Sequence, residues 1–144
     1  MKSVRQVLVK KGTGVHTIAP NDSVLVALEQ MADRNVGALV VQDDGEVVGL
    51  VSERDYARKV ILQGKVSRDT AVHEIMDADP VSVGSIQTVN DCMELMTDRR
   101  VRHLPVIENG QLSGIISIGD VVHAIIDEQQ STIQDLEKYI TGSQ

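Results

Sequence analysis

Ser52 and Asp55 close the stretch GLVSERD at residues 49–55, and Ser117 and Asp120 close GIISIGD at 114–120. In both, a glycine and a short apolar run lead into Ser-x-x-Asp. An apolar, β-favouring run that ends this way reads as a strand that stops where a helix begins. The serine and aspartate then stand in the first helical turn, where backbone N–H groups lack partners and the dipole favours anions. A carboxylate there can accept hydrogen bonds from neighbouring hydroxyls, such as a ribose diol. The serine hydroxyl and free amides can meet a phosphate or another sugar oxygen. Both residue types are also ordinary helix caps, and a single copy would be read as nothing more. Two copies in register argue for a site.

The elements that must position them are repeated as well. The motifs lie 65 residues apart, and the correspondence runs back without a gap to Ile18 and Val83. Val24 matches Val89, Met31 matches Met96, Leu39 matches Leu104 and Gly45 matches Gly110. Each unit reads as a short strand (16–19; 81–83), a polar turn (Asp22-Ser23; Gln87-Thr88) and an amphipathic helix. The helix is marked by Val24, Ala27, Leu28 and Met31 at i, i+3, i+4, i+7, and in the second unit by Val89, Cys92, Met93 and Met96. Two strands follow, at 38–42 and 47–51, joined by Asp43-Asp44-Gly45. Their counterparts are 104–108 and 112–117, joined by Asn109-Gly110; both turns are hairpin signals. A closing helix starts at each Ser-x-x-Asp, and a short helical lead precedes each unit, at 4–9 and 72–76.

Neither half could cover both faces of a three-stranded sheet alone. The expected solution is an α+β fold, two βαββα halves packed sheet to sheet about a pseudo-twofold axis. Such packing sets the two motifs on paired clefts between the halves, each walled by the opposite repeat. The natural wall residues are Val36-Gly37-Ala38 and Val101-Arg102-His103. Arg102 and His103 can meet phosphate, whereas Gly37 and Ala38 allow close backbone approach and bring no charge. The clefts should therefore be unequal.

Composition excludes several partners. The 144 residues include no Trp, no Phe and two Tyr, so the core must be aliphatic and stacking on nucleic-acid bases is not expected. A net charge of −7 argues against binding a phosphate backbone. The charge is lopsided: residues 1–69 carry 10 basic and 9 acidic groups, residues 70–144 carry 4 and 12. Cys92 is the only cysteine, which rules out an intrachain disulfide and a CxxC motif. No apolar run approaches the roughly 18 residues that span a bilayer. The basic start is broken by Lys10 and Lys11 and is not a secretory signal, so a soluble cytoplasmic protein is expected. Gly12-Thr13-Gly14 reads as a loop, and no phosphate-loop, dinucleotide or nucleophile-elbow motif is present. The four histidines lack metal-ligand spacing. With no general base, metal set or activated nucleophile in view, the reading is not an enzyme.

The duplicated G-h-h-S-x-x-D pattern, together with VRHLPV at 101–106, resembles a tandem pair of CBS domains, a Bateman module, over nearly the whole chain. It is similar to the stand-alone CBS-pair proteins of bacteria and plants that carry no catalytic domain. The resemblance implies repeats at 4–62 and 71–128, a linker at 63–70 and a helical tail at 129–144. It also implies an adenosyl ligand: AMP, ADP, ATP or NAD(H), with S-adenosylmethionine ranked behind them. Asp55 and Asp120 would hold ribose hydroxyls with Ser52 and Ser117 beside them, and Leu50 and Ile115 would flank adenine. His16, Val36, Gly37 and Ala38 would wall the Asp120 cleft, with Arg102 and His103 near the phosphates. Val81, Val101, Arg102 and His103 would wall the Asp55 cleft, with Arg54 near phosphate. Function would be regulatory, passing the ligand state to a partner protein; the alternative is an interaction or dimerisation module without ligand. Val40 departs from the family pattern, where Pro105 keeps it.

Ile126, Ile133 and Ile140 recur every seven residues, with Gln129 and Leu136 offset by three. This two-heptad seam is too short to hold a coiled coil alone, so it either packs on the body or completes a dimer. A homodimer is the expected assembly.

Overall fold

The computed structural model describes residues 1–12 and 14–141. Helix α1 (Val4–Lys11) starts at Ser3, whose hydroxyl accepts from Gln6 N–H while the Gln6 side chain accepts from Ser3 N–H. Strand β1 (Thr17–Ile18), helix α2 (Val24–Arg34), strands β2 (Ala38–Asp43) and β3 (Glu46–Ser52) and the short helix α3 (Glu53–Tyr56) complete the first unit. The α3 turn widens into a π-helical stretch at Ala57–Ile61. The second unit has helix α4 (Val89–Arg99), strands β4 (His103–Glu108) and β5 (Gln111–Ser117), and the 24-residue helix α5 (Ile118–Thr141). Both hairpins turn through left-handed pairs, Asp44-Gly45 and Asn109-Gly110, as their residue types predict.

The first sheet has the order β1-β2-β3, with β1 parallel to β2 and β3 antiparallel. The strand expected at 81–83 is cut to one residue, Val83, which bridges Val106 in parallel. Pro105 stands where the first copy has Val40 and has no N–H to give that neighbour, which shortens the ladder. Ala38, Val40 and Leu50 of the first sheet form one buried cluster, packed by Val15, Val47, Leu112 and Ile115. Leu50 and Ile115, like Val47 and Leu112, are repeat equivalents, so matching positions meet across the sheet interface as a twofold arrangement requires.

The leads change places. Val4 and Val7 of α1 are buried in the core of the second half, with Val89, Cys92, Met96, Leu104 and Ile116. Val72 and Ile75 are buried in the first, with Val24, Met31, Leu39 and Val51. Backbone bonds mirror the exchange: Val4 N–H donates to Gln87 O (2.8 Å) and Val89 N–H to Lys2 O (3.0 Å), while Val72 N–H donates to Asp22 O (2.8 Å) and Val24 N–H to Thr70 O (2.8 Å). The glycine of each motif is where its exchanged lead lands. A Cβ on Gly49 would lie 2.8 Å from the Asp77 carbonyl oxygen and 2.6 Å from Met76 Sδ; on Gly114 it would lie 2.7 Å from Leu8 Cδ2. The segment read as a linker is ordered by the same docking. It holds a 3₁₀ turn at Ser67–Asp69, and Thr70 is buried with its hydroxyl on Val66 O (2.8 Å).

Helix α5 buries Val121 and Ala124 and then runs on with Ile133, Leu136, Tyr139 and Ile140 exposed. Residues 142–144 of the expected tail, and Thr13 of the Gly12-Thr13-Gly14 loop, lie outside the described residues. Among those described, no helix is long and apolar enough to cross a membrane.

Candidate functional site

Each Ser-x-x-Asp closes on itself. Ser52 N–H (2.9 Å) and its hydroxyl (3.1 Å) donate to Asp55 Oδ2, and Asp55 N–H returns to Ser52 Oγ (3.2 Å). Ser117 N–H donates to Asp120 Oδ2 (2.9 Å) and Asp120 N–H to Ser117 Oγ (3.1 Å). The residue just ahead of β2 or β4 is tied to the same helix start, Glu53 N–H to Gly37 O (3.1 Å) and Ile118 N–H to Arg102 O (2.8 Å). The caps thus serve the fold, but each leaves one edge of its carboxylate on a cleft between the halves.

The Asp55 cleft encloses about 610 Å³. Gly37, Leu50, Ser52, Glu53, Arg54, Asp55, Arg58 and Lys59 line it from the first half; Asp77, Arg100, Val101, Arg102 and His103 line it from the second. The Asp120 cleft encloses about 530 Å³. Lys11, Gly12, Gly14, His16, Asn35, Val36, Gly37 and Ala38 line it from the first half, and His103, Ile115, Ser117 and Asp120 from the second. Both volumes suit a nucleotide-sized ligand. Gly37 and His103 line both clefts and form the partition between them. A Cβ on Gly37 would sit 3.6 Å from the His103 ring and 3.5 Å from Glu53 Oε1.

Each carboxylate faces a lysine. Lys11 Nζ lies 2.7 Å from Asp120 Oδ2 and also donates to Ile115 O (2.9 Å). Lys59 Nζ lies 3.4 Å from Asp55 Oδ1 and donates to Ile75 O (2.9 Å). Burial opposes ionisation of Asp120, but the hydrogen bonds from Lys11 and Ser117 outweigh it and hold its pKa below the usual 3.8. His103 is lowered too, which for an imidazole favours the neutral form: burial first, then the Lys11 charge, push its pKa below 6.5 against the pull of Asp120. The ring is therefore neutral at pH 7. Burial, with Asp91 beside it, pushes the Cys92 thiol up to about 11, so it is inert.

Of the residues expected from sequence, all but Val81 line one of the two clefts. Val81 packs against the core of the second half instead, its short strand being reduced to the single bridge at Val83, and Asp77 lines the Asp55 cleft. Arg102 lines the Asp55 cleft and not the Asp120 cleft; of its neighbours, His103 lines both. Lys11, Asn35, Glu53, Arg58, Lys59, Asp77 and Arg100 also line the clefts and were not among the residues expected from sequence. Lys59 was legible as the i,i+4 partner of Asp55. Lys11 was not, since it reaches Asp120 only through the exchanged lead. Among the described residues no group of three His, Cys, Asp or Glu is placed to hold a metal ion.

A duplicated α+β unit with paired clefts at its interface defines a tandem-repeat module. The chain belongs to the CBS-domain family, whose model matches residues 4–62 and 72–127. A CBS-domain protein of Burkholderia ambifaria superposes with TM-score 0.86 at 45% identity, covering 89% of this chain and 96% of that one. The Arabidopsis thaliana protein CBSX3, named mitochondrial, is 43% identical over 127 residues, 85% of this chain; the chain spans 62% of that relative's length. At the level of fold alone, the chain matches a Pyrobaculum aerophilum CBS-domain protein complexed with AMP (TM-score 0.73, 24% identity; 82% of this chain, 88% of that one). It likewise matches the CBS pair of protein MJ0100 in complex with 5′-methylthioadenosine and S-adenosylmethionine (TM-score 0.79, 21% identity; 89% and 98%).

Proposed function

We propose that the chain is a regulatory module that binds an adenine nucleotide in the clefts between its repeats and passes that state to a partner protein. The observation that carries the reading is the pair of half-buried aspartates, each capping a helix start and opening on a cleft that the other repeat walls. A carboxylate so held accepts two ribose hydroxyls without being reorganised. Leu50 and Ile115 offer each cleft an apolar surface for the base, and backbone groups beside them offer edge contacts that select adenine. The adenosyl complexes of the more distant CBS pairs support the same class of ligand. AMP, ADP, ATP and NAD(H) are the candidates, ahead of S-adenosylmethionine. Signalling follows from linkage: ligand shifts the module by as much as its affinity differs between two states. The chain acts as a homodimer in this reading, with the exposed apolar side of α5 at the contact.

Mass spectrometry of small molecules released from the purified protein should show an adenine nucleotide. Calorimetry with AMP, ATP, NAD(H), S-adenosylmethionine and GTP should show binding of an adenine ligand in preference to GTP. Tight GTP binding without an adenine ligand would overturn the reading. A melting temperature unmoved by every nucleotide would favour the ligand-free interaction module.

A further inference from the structure

The two clefts are equivalent by repeat but not by charge. Lys59 and Lys11 sit on the two aspartates and offset them. Beyond those pairs, four arginines line the Asp55 cleft: Arg54, Arg58, Arg100 and Arg102. Their repeat equivalents are Gly119, His123, Asn35 and Gly37, and no further lysine or arginine lines the Asp120 cleft. Only Glu53 and Asp77 oppose them there. Every ion pair among the described residues is made by a lysine or the N-terminal amine, so none of the four guanidinium groups is paired with a carboxylate. Four arginines without a carboxylate partner, Arg54 also reaching the Arg100 carbonyl oxygen through Nη1 (3.5 Å), converge on one cleft from both halves and form a polyanion site, since guanidinium forks match phosphate oxygens.

The backbone supports the same reading. Arg100 and its equivalent Asn35 both end their helices in the left-handed region, at φ 54°. Asparagine tolerates that conformation; arginine is held there at a cost. The residue kept at this unfavourable position is one whose side chain faces the cleft. Arg58 sits in the π-helical stretch, which has no counterpart in the regular α5 helix.

We propose that the Asp55 cleft takes a nucleoside di- or triphosphate, with the phosphate chain on Arg54, Arg58, Arg100 and Arg102, and that the Asp120 cleft takes an adenosyl group with one phosphate or none. The proposal rests on the adenosyl reading of both clefts and adds which phosphate chain each accepts. The module would then compare a polyphosphate with its hydrolysed product at two sites that share one wall.

The test isolates each cleft by disabling the other. Asp120→Ala protein, with only the Asp55 cleft intact, should bind ATP at least about tenfold more tightly than AMP, one charge-assisted contact being sufficient for that ratio. The ratio should fall as salt is raised. Asp55→Ala protein should show no gain for ATP over AMP. Adding Arg58→Gln and Arg102→Gln to the Asp120→Ala background should bring the ratio towards one. Arg100→Asn should weaken ATP binding while leaving the melting temperature equal or higher, a result that mere misfolding would not give. An isolated Asp55 cleft that binds AMP as tightly as ATP, or an isolated Asp120 cleft that prefers ATP, overturns the assignment while leaving the adenosyl reading intact. If no adenine nucleotide binds the wild type, inorganic tripolyphosphate is titrated instead. Binding that Arg58→Gln/Arg102→Gln abolishes supports the polyanion site and rejects the adenosyl reading; no binding rejects both.

Discussion

The Asp55 and Asp120 clefts are built from the same unit and differ in what is placed around it. Each has the same cap, the same glycine under an exchanged lead and an apolar residue at the same repeat position, Leu50 or Ile115, for a base. Around Asp55 the second repeat adds Arg100 and Arg102, and the first adds Arg54 and Arg58. Around Asp120 those positions are small, neutral or turned away, and the lead helix supplies Lys11. Duplication conserves the backbone geometry that makes a site, while the side chains facing the cleft are free to diverge because they carry no packing duty. All four arginines are exposed.

The largest asymmetry to test is in how the leads are held. Gly49 meets a backbone carbonyl as well as Met76, whereas Gly114 meets only the tip of the Leu8 side chain. Gly49→Ala should therefore destabilise the fold by about 1–3 kcal/mol, with Gly114→Ala nearer the low end of that range because Leu8 can rotate away. Denaturant melts of the two variants decide it. Equal losses would mean that the Asp77 backbone moves as easily as a leucine tip.

The next effect is on binding. Hydrogen bonds to a charged group contribute about 1.5–3 kcal/mol, so Asp55→Ala and Asp120→Ala should each lose about tenfold to a hundredfold in their own cleft while leaving the other largely intact. Two-site calorimetry separates the clefts. A double variant that binds nucleotide like the wild type would reduce both motifs to helix caps.

A smaller effect comes from the shared wall. Because the folded His103 titrates below its ordinary 6.5, the unfolded chain takes up the proton first as pH falls. The stability His103 contributes is complete above pH 6.5 and is lost as pH falls through its lowered folded value. Thermal melts from pH 7.5 to 5 should show wild-type stability declining more steeply than that of His103→Gln, since glutamine cannot titrate. Parallel curves would show that another group controls the acid limb.

The smallest effect on the clefts is expected from α5 beyond the body. Ile133→Asp with Leu136→Asp should weaken the dimer in light scattering yet leave nucleotide affinity within about twofold, as is usual for distant sites. A wild-type monomer at tens of micromolar would refute the dimer, and a mutant that stays dimeric would move the contact elsewhere on the protein.

The sequence by itself determined the parts. The 65-residue correspondence, the 3.6-residue spacing of Val24, Ala27 and Met31, the Asp44-Gly45 and Asn109-Gly110 turns and the Ser-x-x-Asp caps are all local, and local chemistry is enough to read them. It also carried the two carboxylates and the wall residues, because duplication places equivalent positions about one axis. The tertiary structure alone decided how the parts were exchanged and which cleft each side chain faced. Lys11 reaches Asp120 across 109 residues because α1 docks in the other half, and Val81 loses its strand because Pro105 has no N–H to offer it. Arg102 lines the Asp55 cleft alone, whereas His103, its neighbour in the chain, lines both. No periodicity or spacing encodes these outcomes, since each depends on contacts between segments far apart in the chain.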